Sequence, residues 1–282
     1  MSAQILSGKE LSGEIRAELK QKVAALKEQG KTPGLVVIQV GEDPASTVYV
    51  NNKEKACIEL GIHSQIIRLP QETTQDELLA QIDRLNADQQ FHGILVQLPL
   101  PKHIDEQEVI ARISPKKDVD GFHVQSAGAL LTGTKGFVPC TPKAVMKLLD
   151  KSGIDLTGKN AVVIGRSNIV GKPVSVLLLS RHATVTICHS RTKDLAKIAS
   201  NADVLVAAIG KAEFVTGEFI KEGAVVIDVG INRGADGKLK GDVKFDEAAQ
   251  KASYITPVPG GVGPMTITML MDNTIEACEL FG

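Results

Sequence analysis

An amine or a carboxylate can carry a proton and an amide can position it, and the first half of this chain offers candidates for all three at suggestive places. Tyr49, Lys53 and Cys57 stand four apart, so on a helix their side chains share one face. Gln97 closes a short apolar run, the place where open α/β sheets present ligand-binding groups, and Asp120 follows in a loop bounded by Gly121. Folded together, Lys53, Gln97 and Asp120 would form one polar cluster. A surface helix with a half-buried tyrosine gives the same spacing with no chemistry, so the pattern alone leaves both readings open.

A second chemistry lies in the turn Gly165-Arg166-Ser167-Asn168-Ile169-Val170-Gly171-Lys172-Pro173, between the apolar run at 160–164 and the helix-like stretch at 174–179. Glycine there lets backbone approach a phosphate, and a helix N-terminus supplies N–H donors and partial positive charge. The spelling departs from Gly-x-Gly-x-x-Gly: Ser167 replaces the second glycine and the last glycine comes one residue late. A tight turn without a ligand therefore stays open as an alternative. Dinucleotide folds that take NAD end their second strand in an acid that binds the ribose hydroxyls. Here the run at 184–188 is followed by His189, Ser190 and Arg191, with no acid. A hydroxyl and a guanidinium suit a ribose 2′-phosphate, and Arg166 adds a second cation, which favours NADP over NAD. Solvated surface arginines are the competing reading.

The third stretch, residues 257–264, packs three prolines and three glycines into eight positions and leads through Met265 to Thr266. Such irregular backbone is costly unless it lines something, so its N–H groups and Thr266 are candidates to face a ligand. A crossover between domains would need no ligand.

These residues need elements to position them. Leu11, Ile15, Leu19, Val23 and Leu26 recur at helical spacing up to Gly30. Apolar runs at 35–40, 65–69 and 93–98 read as strands, and Pro99 and Pro101 end the last of them. Thr74 and Glu77 form a capping box ahead of a helix carrying Leu78, Ile82 and Leu85, and 105–113 suits another helix before the polar loop at 116–121. Thr141 and Pro142 signal a helix start, with threonine as the cap. Strands then recur near Ala161, Thr184, Val204 and Val225, 232–237 reads as a surface turn or hairpin, and Thr266 to Phe281 forms a closing helix. Alternating helices and nearly all-apolar strands predict an α/β fold with parallel sheets covered on both faces.

A chain of 282 residues, 43% apolar, is long enough for two domains. Net charge of -1 gives no basic footprint for nucleic acid or an anionic membrane. The four cysteines lie far apart without a metal-ligand spacing, so reduced core thiols and no bound metal are expected. No run reaches the roughly 18 apolar residues of a membrane span and no apolar signal core opens the chain, which predicts a cytoplasmic protein acting on small molecules.

Tyr49-x-x-x-Lys53, the run Val96-Gln97-Leu98-Pro99-Leu100-Pro101, Lys117-Asp118-Val119-Asp120-Gly121, the turn at 165–173 and Pro259 through Thr266 occur in order. Together they resemble the bifunctional methylenetetrahydrofolate dehydrogenase/methenyltetrahydrofolate cyclohydrolases over essentially the whole chain. The resemblance implies a folate-binding catalytic domain over 1–139, completed by a C-terminal helix at 265–282, and an NADP-binding Rossmann-like domain over 140–264. It implies folate in the cleft between them, a homodimer, and a place in one-carbon metabolism with purine biosynthesis among its outlets. It makes Lys53 the catalytic lysine, Tyr49 the ring stacked on folate, Gln97 the group that positions Lys53 and substrate, and Asp120 the pterin anchor. Val96, Leu98, Pro259, Gly260, Gly261 and Thr266 become substrate contacts, and Gly165, Arg166, Ser167, Ser190, Arg191 and Ile231 cofactor contacts. Other readings are a dehydrogenase without the hydrolytic step or acting on another small substrate through the same Lys53 cluster, and a non-catalytic NADP-binding sensor whose first domain serves a partner. Retention of Tyr49, Lys53, Gln97 and Asp120 together speaks against the sensor, which would need only the second half.

Overall fold

A computed structural model describes residues 3–234 and 237–282. The expected turn at 232–237 thus includes Ala235 and Asp236, which lie outside the described residues, while Asn232 and Arg233 pair antiparallel with Lys240 and Leu239. In chain order the elements are β1 (Gln4–Ile5), α1 (Gly8–Glu28), β2 (Gly34–Val40), α2 (Pro44–Leu60), β3 (His63–Leu69), α3 (Gln75–Ala87), β4 (Gly93–Val96), α4 (Glu106–Arg112) and α5 (Val124–Thr132). There follow α6 (Cys140–Ser152), β5 (Asn160–Ile164), α7 (Gly171–Ser180), β6 (Thr184–Cys188), α8 (Leu195–Ala199) and β7 (Val204–Ala207). The last are β8 (Val225–Asp228), β9 (Asn232–Arg233), β10 (Leu239–Lys240), α9 (Phe245–Ala248), β11 (Tyr254–Ile255) and α10 (Val262–Phe281).

The chain divides into two compact units, each made of two segments. One comprises residues up to Gly13 with Thr141–Thr266, the other Glu14–Cys140 with Ile267–Gly282.

In the unit built on Glu14–Cys140, three parallel strands run in the order β3-β2-β4. All seven residues of β2 are buried, as expected of a central strand covered on both faces. Its core joins Val36, Ile38 and Val40 to Leu78, Ile82 and Leu85 of α3 and to Val109 of α4. The capping box of α3 is formed as the sequence predicts, Thr74 Oγ1 accepting from the Glu77 N–H and the Glu77 carboxylate from the Thr74 N–H. Helix α2 begins where Asp43 accepts from the Ser46 N–H at 2.7 Å and ends at Gly61, whose φ of 74° suits the left-handed stop.

The other unit carries a six-stranded parallel sheet in the order β1-β11-β8-β7-β5-β6. The chain leaves β5 on one side to make β6 and then crosses back to make β7, so β5 and β7 flank the topological switch point. Doubly wound sheets bind ligands at the carboxyl ends of the strands there.

Two boundaries differ from the sequence expectation. Thr141 is not the cap of α6, because the helix already includes Cys140, and its hydroxyl lies 3.1 Å from that of Thr266. Helix α10 starts at Val262, upstream of Thr266, because Pro264 falls in its first turn, where no N–H is missed. The four cysteines are buried and none is in a disulfide. Among the described residues no helix is long and apolar enough to cross a membrane.

Candidate active site and cofactor turn

Position four of the α2 repeat sets Lys53 one turn after Tyr49 and one turn before Cys57. Cys57 points into the core, with Sγ 3.5 Å from Met271 Sδ, whereas Tyr49 and Lys53 are half-buried. Lys53 Nζ donates to Gln97 Oε1 at 2.9 Å. Gln97 is itself pinned twice: its backbone N–H donates to the Ile38 carbonyl at 2.8 Å, extending the β4 ladder, and its side-chain Nε2 donates to the Leu98 carbonyl at 2.7 Å. That second bond turns the amide so that its oxygen faces the lysine.

Asp120 completes the group electrostatically. Burial pulls Lys53 below the ordinary lysine value of 10.5, and the charge of Asp120 opposes that fall. Asp120 is moved the other way, up from 3.8, because burial outweighs the opposing pull of Lys53 and a hydrogen bond with Cys140. Two groups that each resist charge, one cationic and one anionic, make a site where a proton can change hands.

The loop that presents Asp120 is built by residues that sequence reading passed over. Asp118 is buried and accepts from the Phe122 N–H at 3.1 Å, the His123 N–H at 2.9 Å and Ser126 Oγ at 2.7 Å. Burial pushes its carboxyl up to about 6 against those bonds. Asn273 of α10 donates to the carbonyls of Val119 at 2.8 Å and Val138 at 3.0 Å, and Cys140 Sγ donates to the Val119 carbonyl at 3.3 Å. Val96 ends β4 and Leu98 follows Gln97, so both stand beside the cluster in the chain.

In the other unit, the turn after β5 sits at the switch point. Gly165 has φ of 136°, and a Cβ there would drive into the Ala208 carbonyl that follows β7. Gly171 is equally constrained, because its Cβ would meet the Gly165 carbonyl. The helix N-terminus departs from the sequence expectation of open donors. Ser167 Oγ accepts from the N–H groups of Val170 at 3.1 Å and Gly171 at 3.3 Å, and its carbonyl accepts from Lys172 at 3.1 Å. Replacing the second glycine by serine thus caps α7 from within the turn.

Register pairs Ile164 with Cys188, so the turns that follow β5 and β6 leave the same sheet edge as neighbours. The Gly165 N–H donates to the Cys188 carbonyl at 2.9 Å. Beyond Cys188 the chain closes a tight turn, with Thr192 Oγ1 accepting from the His189 N–H at 2.9 Å. Arg166, Ser167, Ser190 and Arg191 are exposed on these two turns. Ile231 is 44% exposed beyond β8.

The glycines of residues 257–266 have packing reasons of their own. A Cβ on Gly8 would strike the Gly261 carbonyl, and the Lys9 N–H donates to the Gly260 carbonyl at 2.9 Å. Pro259 is exposed, Gly261 is buried, and the Thr266 hydroxyl donates back to the Val262 carbonyl at 3.2 Å.

Residues 6–120 match the catalytic domain of tetrahydrofolate dehydrogenase/cyclohydrolase, and residues 139–281 match its NAD(P)-binding domain. The chain belongs to the tetrahydrofolate dehydrogenase/cyclohydrolase family. A curated relative, the bifunctional protein FolD of Moorella thermoacetica, is 64% identical over 279 residues, covering 99% of this chain and all of that one. The crystal structure of the bifunctional FolD dehydrogenase/cyclohydrolase of Campylobacter jejuni superposes with a TM-score of 0.97 at 51% identity, covering 99% of each chain. That of the Trypanosoma brucei dehydrogenase-cyclohydrolase, complexed with NADP and an inhibitor, has a TM-score of 0.95 at 42% identity over 99% of this chain and 98% of that one.

Proposed function

We propose that this chain oxidises 5,10-methylenetetrahydrofolate to the 5,10-methenyl form with NADP and then hydrolyses that product to 10-formyltetrahydrofolate. The observation that carries the reading is the Lys53–Gln97 hydrogen bond, with the lysine drawn below its ordinary value beside Asp120.

NADP, when bound, accepts the hydride from the methylene bridge. Losing hydride leaves a cation shared by two nitrogens, so this step asks for alignment more than for a base. Tyr49, as a ring half-buried one helical turn from Lys53, is suited to stacking on the folate and fixing that alignment. The residues present fit the cofactor. Gly165 leaves no room for a side chain at the switch point, and Arg166, Ser190 and Arg191 offer two guanidinium groups and a hydroxyl to a 2′-phosphate where no acid ends β6. With Ser167 occupied in capping α7, these cations rather than helix N–H groups carry the phosphate recognition.

Hydration of the methenyl cation is the step that needs proton transfer. Water loses a proton as it attacks, and a ring nitrogen gains one as the ring opens. Lys53 Nζ is the atom assigned to both transfers, since a lowered lysine reaches its neutral, accepting form nearer neutral pH. Gln97 holds the amine in place, and Asp120 accepts from the pterin ring N–H and amino group. Val96, Leu98, Pro259, Gly260, Gly261 and Thr266 are assigned to substrate, and Gly165, Ser167 and Ile231 to cofactor, on the family pattern. Family membership also supports a cytoplasmic homodimer in one-carbon metabolism that feeds purine biosynthesis.

Two spectrophotometric assays test the reading. NADPH formation from methylenetetrahydrofolate and loss of the methenyl chromophore without cofactor should both be enzyme-dependent, with NADP preferred to NAD. Oxidation without hydrolysis would reduce the reading to a dehydrogenase, and absence of both would refute it.

A further inference from the structure

Two buried carboxylates in the β5–β8 unit take no part in the chemistry above, yet between them they accept seven hydrogen bonds near the carboxyl ends of β7 and β8. Asp242 is fully buried. Its Oδ2 accepts from the N–H groups of Ile209 at 2.6 Å and Gly210 at 2.9 Å, and its Oδ1 from the Lys211 N–H at 2.9 Å and Asn232 Nδ2 at 2.8 Å. Asp228, the last residue of β8, accepts from the N–H groups of Gly230, Asp242 and Val243, each at 2.9 Å. Space is cleared for both: a Cβ on Gly230 would strike the Asp242 carboxylate, and one on Gly241 the Asp228 carboxylate.

Burying two acids side by side is expensive, and a turn could be closed by cheaper neutral bonds. What the arrangement achieves is the joining of two loops. Residues 209–211 follow Ala208, whose carbonyl abuts Gly165 in the cofactor turn. Ile231 stands between Gly230, held by Asp228, and Asn232, held by Asp242. We infer that Asp242 is a positioning residue for the nucleotide cofactor, locking Ile231 and the Ala208 carbonyl into register with the Gly165 turn. The inference rests on the NADP reading of this unit given above.

Asn232→Ala is the decisive variant, because it removes the Asp242 bond and a longer one of 3.4 Å to the Lys240 carbonyl while leaving the three backbone bonds of Asp242 intact. Titrating the full chain with NADP alone should show Kd raised about tenfold, the scale of one hydrogen bond to a charged group. Hydrolysis of the methenyl substrate, assayed without cofactor, should stay within about twofold of the unmodified protein. Asp242→Asn, which sets an N–H group against donors, should raise Kd further if it folds. Unchanged NADP affinity in Asn232→Ala overturns the inference, and so does an equal loss of hydrolysis and NADP binding, the mark of a purely structural bond. If the unmodified chain fails to bind NADP, the NADP reading itself is at fault.

Discussion

Burial moves Lys53 down and Asp120 up, so each stands nearer its neutral form than an exposed side chain of its kind. Lys53→Ala should lower methenyl hydrolysis roughly a hundredfold or more, the range for a lost acid/base group, while far-ultraviolet circular dichroism stays native. Near-normal hydrolysis in the folded variant would remove the lysine from the mechanism. Linkage adds a second readout. Below 10.5 and above its lowered folded value, Lys53 binds fewer protons folded than unfolded, so its contribution to stability rises with pH through that interval. The variant should lose that rise in denaturant titrations at alkaline pH. Asp120→Asn tests the pterin contact, because an amide presents N–H donors where only an acceptor fits. Folate affinity should fall at least about tenfold with NADP affinity intact. A lower melting temperature with unchanged folate affinity would make Asp120 a loop residue only. The meeting of Lys53 with Gln97 was legible in the sequence, because Lys53 lies on a helix and Gln97 directly follows a strand. Cys140 and Asn273, which brace the Asp120 loop, were not. Their bonds to the Val119 carbonyl span 21 and 154 residues, and a cysteine or an asparagine so far from its partner carries no spacing signal.

Elements became legible where chemistry marks their ends. The Thr74 capping box and the Gly30 stop could be read directly, whereas α5 could not. Its cap is His123 rather than a short hydroxyl, carboxyl or amide residue, Gly128 falls in its middle, and Val124 and Leu131 are 74% and 71% exposed, so its large apolar residues do not mark a buried face. Just ahead of α5, Asp118 holds the N–H groups of Phe122 and His123, and burial raises its carboxyl from 3.8 to about 6. Between those values the folded state holds the extra proton, so this group's share of stability falls as pH rises, by about 3 kcal/mol in all. Asp118→Asn should therefore make the change in melting temperature from pH 4 to pH 6 more positive than in the unmodified protein. An unaltered slope would show that Asp118 titrates normally. At the other turn, Gly165→Ala places a Cβ against a backbone carbonyl at a φ that L-residues avoid. A loss of at least about 1–3 kcal/mol in stability is expected, with NADP binding abolished by displacement of the turn. Native NADP affinity would show that the turn does not approach the cofactor.

Across the whole molecule, strand alternation announced the parallel sheets, but the partner of the first strand stayed hidden, since two residues carry no period. Gln4 and Ile5 pair with Tyr254 and Ile255, and the N–H groups of Ala3, Gln4 and Leu6 donate to the carbonyls of Ala249, Ser253 and Ile255. Leu6 is only 3% exposed. Deleting the chain through Leu6 should cost about 3 kcal/mol or more, from one buried leucine and three hydrogen bonds, and should appear in calorimetry as a lowered melting transition. An unshifted transition would show that β1 is dispensable. The same pairing has a meaning in time. A ribosome adds about 5–20 residues each second, and when β1 is synthesised its partner is still about 250 residues from being made. Roughly 12–50 s pass before β11 exists to receive it. Through that interval the β1 segment, Ala3 and Leu6 included, has no sheet to join, and it is then that a chaperone holding this segment would matter most.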